Sequence, residues 1–515
     1  MQRIHTPQEA ARWLHQRVTG RLCTDSRVVH AGDAFLAWPG AQHDGRRYVP
    51  EVLARGATAC LVEADGWTGV ESQNSDASAC LAGYAGLKSA SGLIAAAYHE
   101  HPSHALDVLA VTGTNGKTST AWWLAQALTR LGQRCAVAGT LGLGEIEQDA
   151  QGHLHVSGPN TGMTTPDAVL WQGSLRELVD RGVRACAVEA SSIGLAEHRL
   201  NGTRIRVAVF TNFTQDHLDY HGDMHAYWQA KAELFDWQDL AAAVINVDDA
   251  QGHELAQQLA RRREGALDVW TCSAHGPARL QAQNLQQGVA LNQDGTTMSG
   301  LSFDVVEGEH TLRLQTTLVG AYNVNNLLGV IASLRALGYS LASAVAACAN
   351  LWPVPGRLQV VSTAQEPLVV VDYAHTPDAL AHVLQALRPL ATDRQGSLVC
   401  VVGCGGDRDK SKRASMGLVA EQHADRLVFT SDNPRSESPQ AIVDAMVAGV
   451  THPSDVVVEL DRACAIAYAV THAQARDVVL IAGKGHESYQ EIAGVRQAFS
   501  DEAQARHALR QRRAA

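Results

Sequence analysis

The feature that most constrains the fold is a series of short, continuously apolar runs, each followed by a glycine-rich turn and then by a helical pattern. Leu398–Gly403 and Val478–Ala482 are two of these runs. An apolar run without polar alternation is typical of a strand that is buried on both faces. Strands that alternate with helices predict parallel sheets. The sequence therefore predicts an α/β fold, with further strands at Ala105–Val111, Arg206–Thr211, Ala242–Val247, Leu368–Asp372 and Leu427–Ser431.

Chain length and two candidate domain boundaries predict three domains. At about 150 residues per domain, the 515 residues suggest roughly three. The segment His101-Pro-Ser-His104 precedes the first glycine-rich unit, and Trp352-Pro-Val-Pro-Gly356 has the composition of a linker. Between these two boundaries, Ala282–Gly300 has the pattern of polar turns around short β segments. We expect domains at 1–102, 103–354 and 355–515.

Composition disfavours several classes of protein. Lys and Arg number 42 against 53 Asp and Glu, which gives a formal net charge of −11. A protein that binds nucleic acid non-specifically needs the opposite surplus. An apolar fraction of 46% is too high for a disordered chain.

The first residues lack the apolar segment of a secretory signal, and no apolar run approaches the roughly 18 residues of a membrane span. The ten cysteines form no CxxC pair, which favours reduced, buried thiols. We therefore expect a cytoplasmic protein.

The first glycine-rich unit has the pattern of a phosphate-binding loop. The run Ala105–Val111 leads into Gly113-Thr-Asn-Gly116-Lys117-Thr118 and then into the amphipathic stretch Ser119–Leu131. Glycines let backbone N–H groups approach phosphate oxygens, and the helix N-terminus adds a favourable dipole. In this motif the lysine reaches the β- and γ-phosphates and the threonine hydroxyl binds Mg²⁺. Val111 stands where the general motif has glycine, so a glycine-rich turn with a chance Lys-Thr pair is the alternative.

The run Val111–Ser119 resembles the ATP loop of the Mur ligases, and other segments follow in the order of that family across nearly the whole chain. The resemblance implies three domains, which bind a UDP-sugar, ATP and, in a C-terminal Rossmann-like domain, the incoming amino acid. The segments that carry it are Thr24-Asp-Ser-Arg27, Gly32-Asp33, Asp44-Gly-Arg46, Thr164-Thr-Pro166, Glu189-Ala-Ser-Ser192, Asp216-His-Leu-Asp-Tyr-His221, Ala230-Lys-Ala-Glu-Leu-Phe235, Gly320-Ala-Tyr-Asn-Val-Asn-Asn326, Pro355-Gly-Arg357, Asp372-Tyr-Ala-His-Thr-Pro377, Gly406-Asp-Arg-Asp-Lys410, Asp432-Asn-Pro-Arg435 and Gly483-Lys-Gly-His-Glu487.

The resemblance implies an ATP-dependent enzyme, expected to be a monomer, that joins meso-diaminopimelate to UDP-N-acetylmuramoyl-L-alanyl-D-glutamate, a peptidoglycan precursor. ATP would phosphorylate the substrate carboxylate, and the amine would then attack the acyl phosphate. Such a site must neutralise the transferring phosphoryl group and align two reactants. A lysine-adding or folylpolyglutamate-type ligase of the same superfamily is one alternative. A regulatory ATP-binding module is another, although the presence of Lys117, Glu189, His217 and Lys231 argues against it.

The resemblance also implies how ATP and Mg²⁺ are bound. Glu189 ends the apolar run Cys186–Val188, at the carboxyl edge of a parallel sheet where ligands usually bind. With His217 it is implied to bind Mg²⁺ beside Thr118. Lys231, otherwise a solvated helical lysine, is implied to carry a carbamate from CO₂ that holds a second Mg²⁺. The implied ATP contacts are Gly113, Thr114, Asn115, Gly116, Lys117, Thr118, Ser119, Asn323, Asn326, Arg357, Asp372 and His375.

A zinc site is the alternative for the histidine segment. His217, His221 and His225 recur every four residues, a spacing that could hold zinc if the segment were one helix. Nearby carboxylates and a phosphate substrate favour Mg²⁺ instead. We therefore expect only His217 to be a ligand.

On the UDP-sugar side, one implied contact departs from the family. The family often has glutamine where this chain has Glu197. A carboxylate that faces an anionic substrate repels it unless the carboxylate is protonated or paired. The implied contacts with the nucleotide and the muramoyl dipeptide are Thr24, Ser26, Thr164, Thr165, Ser191, Glu197 and Arg199.

Asp432-Asn-Pro-Arg435 indicates which amino acid is added. Composition alone makes this segment an Asx-Pro turn after a strand. However, meso-diaminopimelate differs from lysine by one extra carboxylate, which the Arg435 fork could bind while Asp432 and Asn433 take the ammonium. A lysine-adding site would leave that arginine unpaired. We therefore expect a preference for meso-diaminopimelate over L-lysine, with implied contacts from Arg408, Asp432, Asn433, Pro434, Arg435, Gly483 and Glu487.

Overall fold

A computed structural model describes residues 1–40, 43–67, 80–149, 154–159, 161–262, 265–291, 297–363 and 365–514. It divides into two compact units. The first contains Met1–Cys272 and Ala332–Tyr339, and the second contains Ser273–Ile331 and Ser340–Ala515. Both units combine parallel sheets with helices, so the predicted α/β class is confirmed. The domain boundaries at 102 and 354 stay predictions.

The first unit begins with a five-stranded parallel sheet in the order β1-β5-β4-β3-β2. Its first helix starts at Thr6, whose hydroxyl accepts the Glu9 N–H while the Glu9 carboxylate accepts the Thr6 N–H. Trp13 and Leu14 of that helix are buried in the core. The strands are β1 Gln2–Ile4, β2 Leu22–Cys23, β3 Ala34–Ala37, β4 Ala59–Glu63 and β5 Leu81–Tyr84, and the helices are Pro7–His15, Val49–Ala54 and Leu87–Tyr98.

A larger sheet of the first unit has the order β13-β12-β11-β6-β10-β7-β8-β9, and only β8 and β9 run antiparallel to their neighbours. Since β6 lies between β10 and β11, the segments after these three strands meet at one edge. The strands are β6 Asp107–Thr112, β7 Cys135–Gly139, β8 Gly142–Gln148, β9 Leu154–Val156, β10 Ala185–Glu189, β11 Val207–Phe210, β12 Ala242–Asn246 and β13 Asp268–Ser273. The helices are Lys117–Arg130, Ala168–Asp180, Ser192–Ala196, Leu218–His221, Met224–Ala232 and Ala250–Arg262.

The second unit begins with three long antiparallel strands, β14 Leu280–Leu291, β15 Thr297–Glu307 and β16 His310–Thr316. The prediction of polar turns around short β segments at Ala282–Gly300 is therefore wrong for its described part. The pairing of β14 with β15 shifts register between Gln283 and Gln286. Helices Asn323–Ala336 and Leu341–Ala349 follow.

The remaining sheet has the order β17-β18-β22-β19-β20-β21 and is parallel except at β17. Helices cover both of its faces, which explains why its strands are continuously apolar. The strands are β17 Gln359–Val360, β18 Leu368–Asp372, β19 Leu398–Val402, β20 Arg426–Phe429, β21 Val456–Val458 and β22 Val478–Ala482, followed by the hairpin β23 Tyr489–Ile492 and β24 Val495–Ala498. The helices are Pro377–Asp393, Lys412–His423, Pro439–Val447, Arg462–His472 and Asp501–Ala514. Across the described ranges, no helix has the length and apolar character that crossing a membrane requires.

Candidate functional site

The loop after β6 has the backbone shape of a phosphate-binding loop. Gly113 and Gly116 have φ values of 142° and 86°, a region that favours glycine. A Cβ atom at Gly113 would lie 1.9 Å from Thr211 Oγ1, so no larger residue fits. The Lys117 ammonium donates hydrogen bonds to the carbonyl oxygens of Gly113 and Thr114, both at 2.9 Å. The loop therefore holds a lysine ammonium at the N-terminus of a helix, where anions bind favourably.

Hydroxyl and carboxylate oxygens lie beside this loop, around Glu189 at the end of β10. The Thr118 hydroxyl donates to Glu189 Oε2 at 3.0 Å, and the Thr140 N–H donates to Glu189 Oε1 at 2.8 Å. The Thr140 hydroxyl also lies 3.4 Å from Thr164 Oγ1. A Cβ atom at Gly139 would lie 2.1 Å from Glu189 Oε1, so glycine makes room for the carboxylate. A hydroxyl and a carboxylate in contact match the oxygen ligands that Mg²⁺ prefers.

Lys231 is buried against the same loop, with only 1% of its surface exposed. Its ammonium donates to the Gly113 carbonyl oxygen at 2.7 Å and lies 4.4 Å from the centre of the Tyr227 ring. Burial, and then the charge of Lys117, hold the pKa of Lys231 well below its usual range, although Asp216 opposes this. Lys231 is thus not the solvated helical lysine that its local sequence alone would suggest, and its carbamate stays a prediction. A lowered pKa favours the uncharged amine, which is the nucleophilic form.

His217 lies on a turn rather than within a helix. Its φ is 52°, its N–H donates to Asp216 Oδ1 at 2.9 Å, and its Nε2 is 3.4 Å from Asp216 Oδ2. Burial lowers the pKa of His217. The helices Leu218–His221 and Met224–Ala232 are separate, so the helical condition for a zinc site is not met. In the described part of the chain, no three His, Cys, Asp or Glu side chains form a metal-binding group. The assignment of His217 to Mg²⁺ therefore stays a prediction.

Four of the predicted site residues form one hydrogen-bonded network. The Thr165 hydroxyl donates to the Glu189 carbonyl oxygen at 2.7 Å and lies 2.9 Å from Ser191 Oγ. Arg199 Nη1 donates to the Thr165 carbonyl oxygen at 3.0 Å. The structure thus brings the implied muramoyl-dipeptide contacts next to the implied Mg²⁺ ligand Glu189.

Glu197, the departure from the family, is paired. Its Oε2 lies 2.6 Å from the Lys88 ammonium, and its Oε1 accepts the Tyr220 hydroxyl at 2.5 Å. Burial raises the pKa of Glu197, but the hydrogen bonds from Lys88 and Tyr220 outweigh burial, so the pKa is lowered. Lys88 therefore balances the charge that would repel an anionic substrate. Sequence reasoning missed Lys88, because no local pattern links it to Glu197.

The two uridine-nucleotide contacts lie in the first part of the unit. Thr24 hydrogen-bonds the side chain of Asp167, the residue that caps helix Ala168–Asp180. Ser26 begins a short 3-10 turn and is half-buried.

In the second unit, Asp372 and Arg357 lie around Tyr373. The buried Asp372 carboxylate accepts the N–H groups of Leu358 and Ala374, both at 2.7 Å. Burial raises the pKa of Asp372, although Arg357 opposes this. The Arg357 guanidinium lies 4.4 Å from the centre of the Tyr373 ring. Asp372 is thus held by backbone N–H groups, and Arg357 lies against an aromatic ring.

Three further predicted ATP contacts, Asn323, Asn326 and His375, have hydrogen-bond partners within their own chain segments. Asn323 Nδ2 donates to the Val319 carbonyl oxygen at 2.7 Å, and Asn326 Nδ2 donates to Asn323 Oδ1 at 2.9 Å. His375 is exposed, and its Nδ1 lies 2.9 Å from the Tyr373 carbonyl oxygen.

The residues predicted to bind the amino acid lie beyond the carboxyl ends of β19, β20 and β22. Arg435 Nη1 donates to the Gly406 carbonyl oxygen at 2.8 Å. A Cβ atom at Gly405 would lie 3.2 Å from Arg435 Nη1 and 3.8 Å from Arg408 Cγ, so both arginines approach this glycine. Similarly, a Cβ atom at Gly483 would lie 2.6 Å from Asp432 Oδ2. Glycine at position 405 therefore leaves room for two arginine side chains, and glycine at position 483 leaves room for the Asp432 carboxylate.

Lys484 joins this group, although sequence reasoning missed it. Its side chain is fully buried, and its ammonium donates to Glu487 Oε2 at 2.7 Å and to Asn433 Oδ1 at 3.1 Å. Asn433 Nδ2 also donates to Glu487 Oε2, at 2.8 Å. The available signal was a lysine only two residues beyond an apolar strand, where solvation is poor.

A phosphate loop with an adjacent carboxylate, in a chain whose C-terminal parallel sheet has paired cations and acids beyond its strand ends, fits the class of ATP-using α/β ligases. Three family models match the chain: Mur ligase middle domain over 111–334, Mur ligase glutamate ligase domain over 356–485, and Mur ligase family catalytic domain over 21–88. The chain belongs to the Mur ligase family, and the prediction of an ATP-dependent ligase is confirmed.

Individual relatives are similar along nearly the whole chain. UDP-N-acetylmuramoyl-L-alanyl-D-glutamate--2,6-diaminopimelate ligase of Acidovorax sp. (strain JS42) is 55% identical over 99% of this chain and 98% of its own. The protein of the same name in Janthinobacterium sp. (strain Marseille) is 48% identical over 93% and 92%. A solved structure of such a ligase is 34% identical, with a TM-score of 0.65 over 96% of this chain and 95% of that one. Folylpolyglutamate synthase of Mycobacterium tuberculosis, 19% identical, has a TM-score of 0.58 over 77% of this chain and 92% of that one.

Proposed function

We propose that this enzyme uses ATP to join meso-diaminopimelate to UDP-N-acetylmuramoyl-L-alanyl-D-glutamate. The observation that carries the proposal is the set of charged residues beyond the ends of three neighbouring strands: Arg408 after β19, Asp432 and Arg435 after β20, and Glu487 after β22. It offers planar cations for a distal carboxylate and acids for an ammonium. The names of the relatives support the same substrates. Since the reaction consumes ATP, we place it in the cytoplasm.

The phosphate loop supplies the charge needed for phosphoryl transfer. The Lys117 ammonium, which bonds two loop carbonyl oxygens, would turn toward the β- and γ-phosphates of ATP. Thr118 and Glu189 would hold Mg²⁺, and His217 would complete this set. When bound, Mg²⁺ neutralises charge on the phosphates. Transfer to the substrate carboxylate then gives an acyl phosphate, so no covalent protein nucleophile is required.

The remaining residues align the two reactants. Arg199, Thr165 and Ser191 would hold the dipeptide whose carboxylate is phosphorylated. Arg435 and Glu487 would fix the far end of meso-diaminopimelate, which leaves its other amine free to attack. The amine loses a proton and the tetrahedral intermediate expels phosphate, which forms the amide. Holding both partners in this geometry accounts for much of the rate enhancement.

Phosphate release tests the proposed function directly. We expect release to require both UDP-N-acetylmuramoyl-L-alanyl-D-glutamate and meso-diaminopimelate. Release with ATP alone, unaffected by either substrate, would instead indicate a regulatory ATPase. Equal kcat/KM for meso-diaminopimelate and L-lysine would indicate a lysine-adding ligase. A folylpolyglutamate-type ligase would release phosphate with a folate and glutamate instead.

Replacing Arg435 with lysine should lower kcat/KM for meso-diaminopimelate by roughly 100-fold, because one ammonium cannot replace a bidentate fork. The wild-type enzyme should prefer meso-diaminopimelate over L-lysine by about 10,000-fold, because a site that binds the distal carboxylate through Arg435 rejects a ligand that lacks this group. Both values come from phosphate release at varied amino-acid concentration. Arg388→Lys is the control, because Arg388 pairs with Asp425 on the surface of the same unit. A variant Arg435→Lys with wild-type selectivity would contradict the assignment.

Replacing Lys88 with methionine should raise KM for the UDP-linked substrate by about 10-fold. The change leaves the Glu197 carboxylate without its cation, and its pKa should rise toward or above the usual range. KM should therefore recover when Glu197→Gln is added to Lys88→Met. Initial rates at varied UDP-linked substrate measure both effects. If the double variant is no better than Lys88→Met, Lys88 acts by some route other than Glu197.

A further inference from the structure

The C-terminal sheet contains a completely buried ion pair that the catalytic scheme does not use. The side chains of Arg462 and Asp501 have no exposed surface. Arg462 Nε and Nη2 donate to the two carboxylate oxygens of Asp501, each at 2.7 Å. The two residues begin the helices Arg462–His472 and Asp501–Ala514. The pair therefore joins the starts of two helices beneath one sheet edge.

The same guanidinium also binds two strand ends. Arg462 Nη1 donates to the Ser431 carbonyl oxygen at 3.2 Å, and Nη2 donates to the Ala482 carbonyl oxygen at 2.9 Å. Ser431 directly precedes Asp432, and Ala482 directly precedes Gly483. Because β19 lies between β20 and β22 in the sheet, no strand pairing joins these two ends. Arg462 is thus a direct link between the two segments that bear the proposed amino-acid site.

The space between those segments is narrow. Gly483 has a φ of 117°, and a Cβ atom there would lie 2.6 Å from Asp432 Oδ2. A small shift of either strand end would change the distance between Asp432 and the opposite residues of the site. Arg462 also interacts electrostatically with Asp432 and Glu487. Together with Asp501, these two carboxylates raise the pKa of Arg462, while burial opposes this.

Stability alone is a weak explanation for such a pair. Desolvating two charges is costly, and apolar replacement of a buried ion pair is often neutral or even stabilising. What apolar side chains cannot supply is the set of directed bonds from one planar group to a carboxylate and to two carbonyl oxygens. The geometry therefore favours a positional role.

We propose that Arg462 and Asp501 are positioning residues for the amino-acid site. By fixing the carbonyl oxygens of Ser431 and Ala482, they set the separation of the Asp432–Arg435 and Gly483–Glu487 segments. That separation determines the affinity for meso-diaminopimelate and the discrimination against L-lysine. The inference rests on the proposed function of these two segments.

The test replaces both charges with apolar side chains. In Arg462→Met combined with Asp501→Leu, no buried charge is left unpaired, so the domain should fold. We expect KM for meso-diaminopimelate to rise roughly 30-fold, since misplacement of about 1 Å costs up to about 100-fold. KM for ATP and for the UDP-linked substrate should stay within about two-fold. The preference for meso-diaminopimelate over L-lysine should fall by a similar factor.

A control pair lies at the opposite end of the same strands. Arg426 begins β20, and its Nη2 lies 2.8 Å from Oδ2 of Asp477, which directly precedes β22. Arg426→Met should lower the melting temperature without raising KM for meso-diaminopimelate. A general loss of rigidity would change both variants alike, whereas a positional role affects only the Arg462 and Asp501 variants.

Each further outcome has a definite meaning. A folded double variant with wild-type KM and selectivity overturns the proposal. If the double variant does not fold, the test uses Arg462→Lys, which keeps the charge but cannot reach all three partners. A raised KM for meso-diaminopimelate alone then supports the proposal. An unchanged KM overturns it. If the wild-type enzyme does not respond to meso-diaminopimelate, the proposed function fails. Amide hydrogen exchange then decides on the positional role, which predicts faster exchange at 432–435 and 483–487 in the variant, and unchanged exchange overturns it.

Discussion

Replacing Glu189 with glutamine should lower kcat for phosphate release by about 1000-fold, equivalent to about 4 kcal/mol of transition-state stabilisation. Glutamine keeps the volume of the side chain and an acceptor oxygen for the Thr140 N–H. It removes the negative charge beside the Thr118 hydroxyl, and with it a proposed protein ligand for Mg²⁺. The measurement is the rate of phosphate release at saturating substrates over a range of Mg²⁺ concentrations.

The control for this variant is Asp180→Asn. Asp180 ends helix Ala168–Asp180 in the same unit, its side chain is 62% exposed, and it pairs with Arg176. Loss of an exposed pair should leave kcat within about two-fold. Binding of ATP in the presence of a chelator should be the same for wild type and Glu189→Gln, because Lys117 and the loop backbone are unchanged. A Glu189→Gln rate within ten-fold of wild type at every Mg²⁺ concentration would contradict the assignment.

The strands could be predicted from the sequence where both faces of the strand are buried. Leu368–Asp372 and Val478–Ala482 have the predicted bounds, because all five residues of each strand are buried. Where burial is one-sided the prediction failed. Ala282–Gly300 is rich in Gln, Asn and Gly, a composition typical of turns, yet its described part belongs to long antiparallel strands. Backbone pairing with the neighbouring strand stabilises these residues, and local composition does not report such pairing.

The site could be predicted only as separate motifs. The resemblance placed Glu197 and Asp432 in binding segments; Asp432 follows strand β20, whereas Glu197 directly follows helix Ser192–Ala196. The partners that hold them, Lys88 for Glu197 and Arg462 with Asp501 for the amino-acid site, come from distant parts of the chain. Their contacts depend on tertiary packing, for which a single sequence has no periodic signal.

The net charge of −11 does not describe the charge around the proposed ligands. The proposed ligands are polyanions, so the cations that meet them must keep their charge. Lys117, Arg199 and Arg435 each donate to backbone carbonyl oxygens, at 2.9, 3.0 and 2.8 Å. A carbonyl oxygen orients a cation but carries no formal charge to cancel it. Local placement of cations therefore compensates for a net charge of the wrong sign.

Replacing Lys231 with methionine should abolish ligation, with kcat lowered by about 1000-fold. We propose that Lys231 carries a carbamate, in which CO₂ has added to the uncharged amine with loss of a proton. Burial and Lys117 lower the pKa of Lys231, so the uncharged amine is available at a lower pH than in an exposed lysine. The carbamate turns a buried cation into a carboxylate within the phosphate site. Without the carbamate, the site has one fewer anionic group for a second Mg²⁺.

Isotopically labelled CO₂ distinguishes this modification from a plain buried lysine. The wild-type enzyme and the inactive Glu189→Gln variant should both show the carbamate carbon signal by NMR, whereas Lys231→Met should show none. Falling pH protonates the amine and releases CO₂, so the signal and the activity should decline together and return when pH and CO₂ are restored. The low pKa sets the direction of this effect, because a protonated amine cannot add CO₂. Full activity in CO₂-free buffer, with no carbamate signal in the wild-type enzyme, would show that Lys231 acts as an unmodified amine.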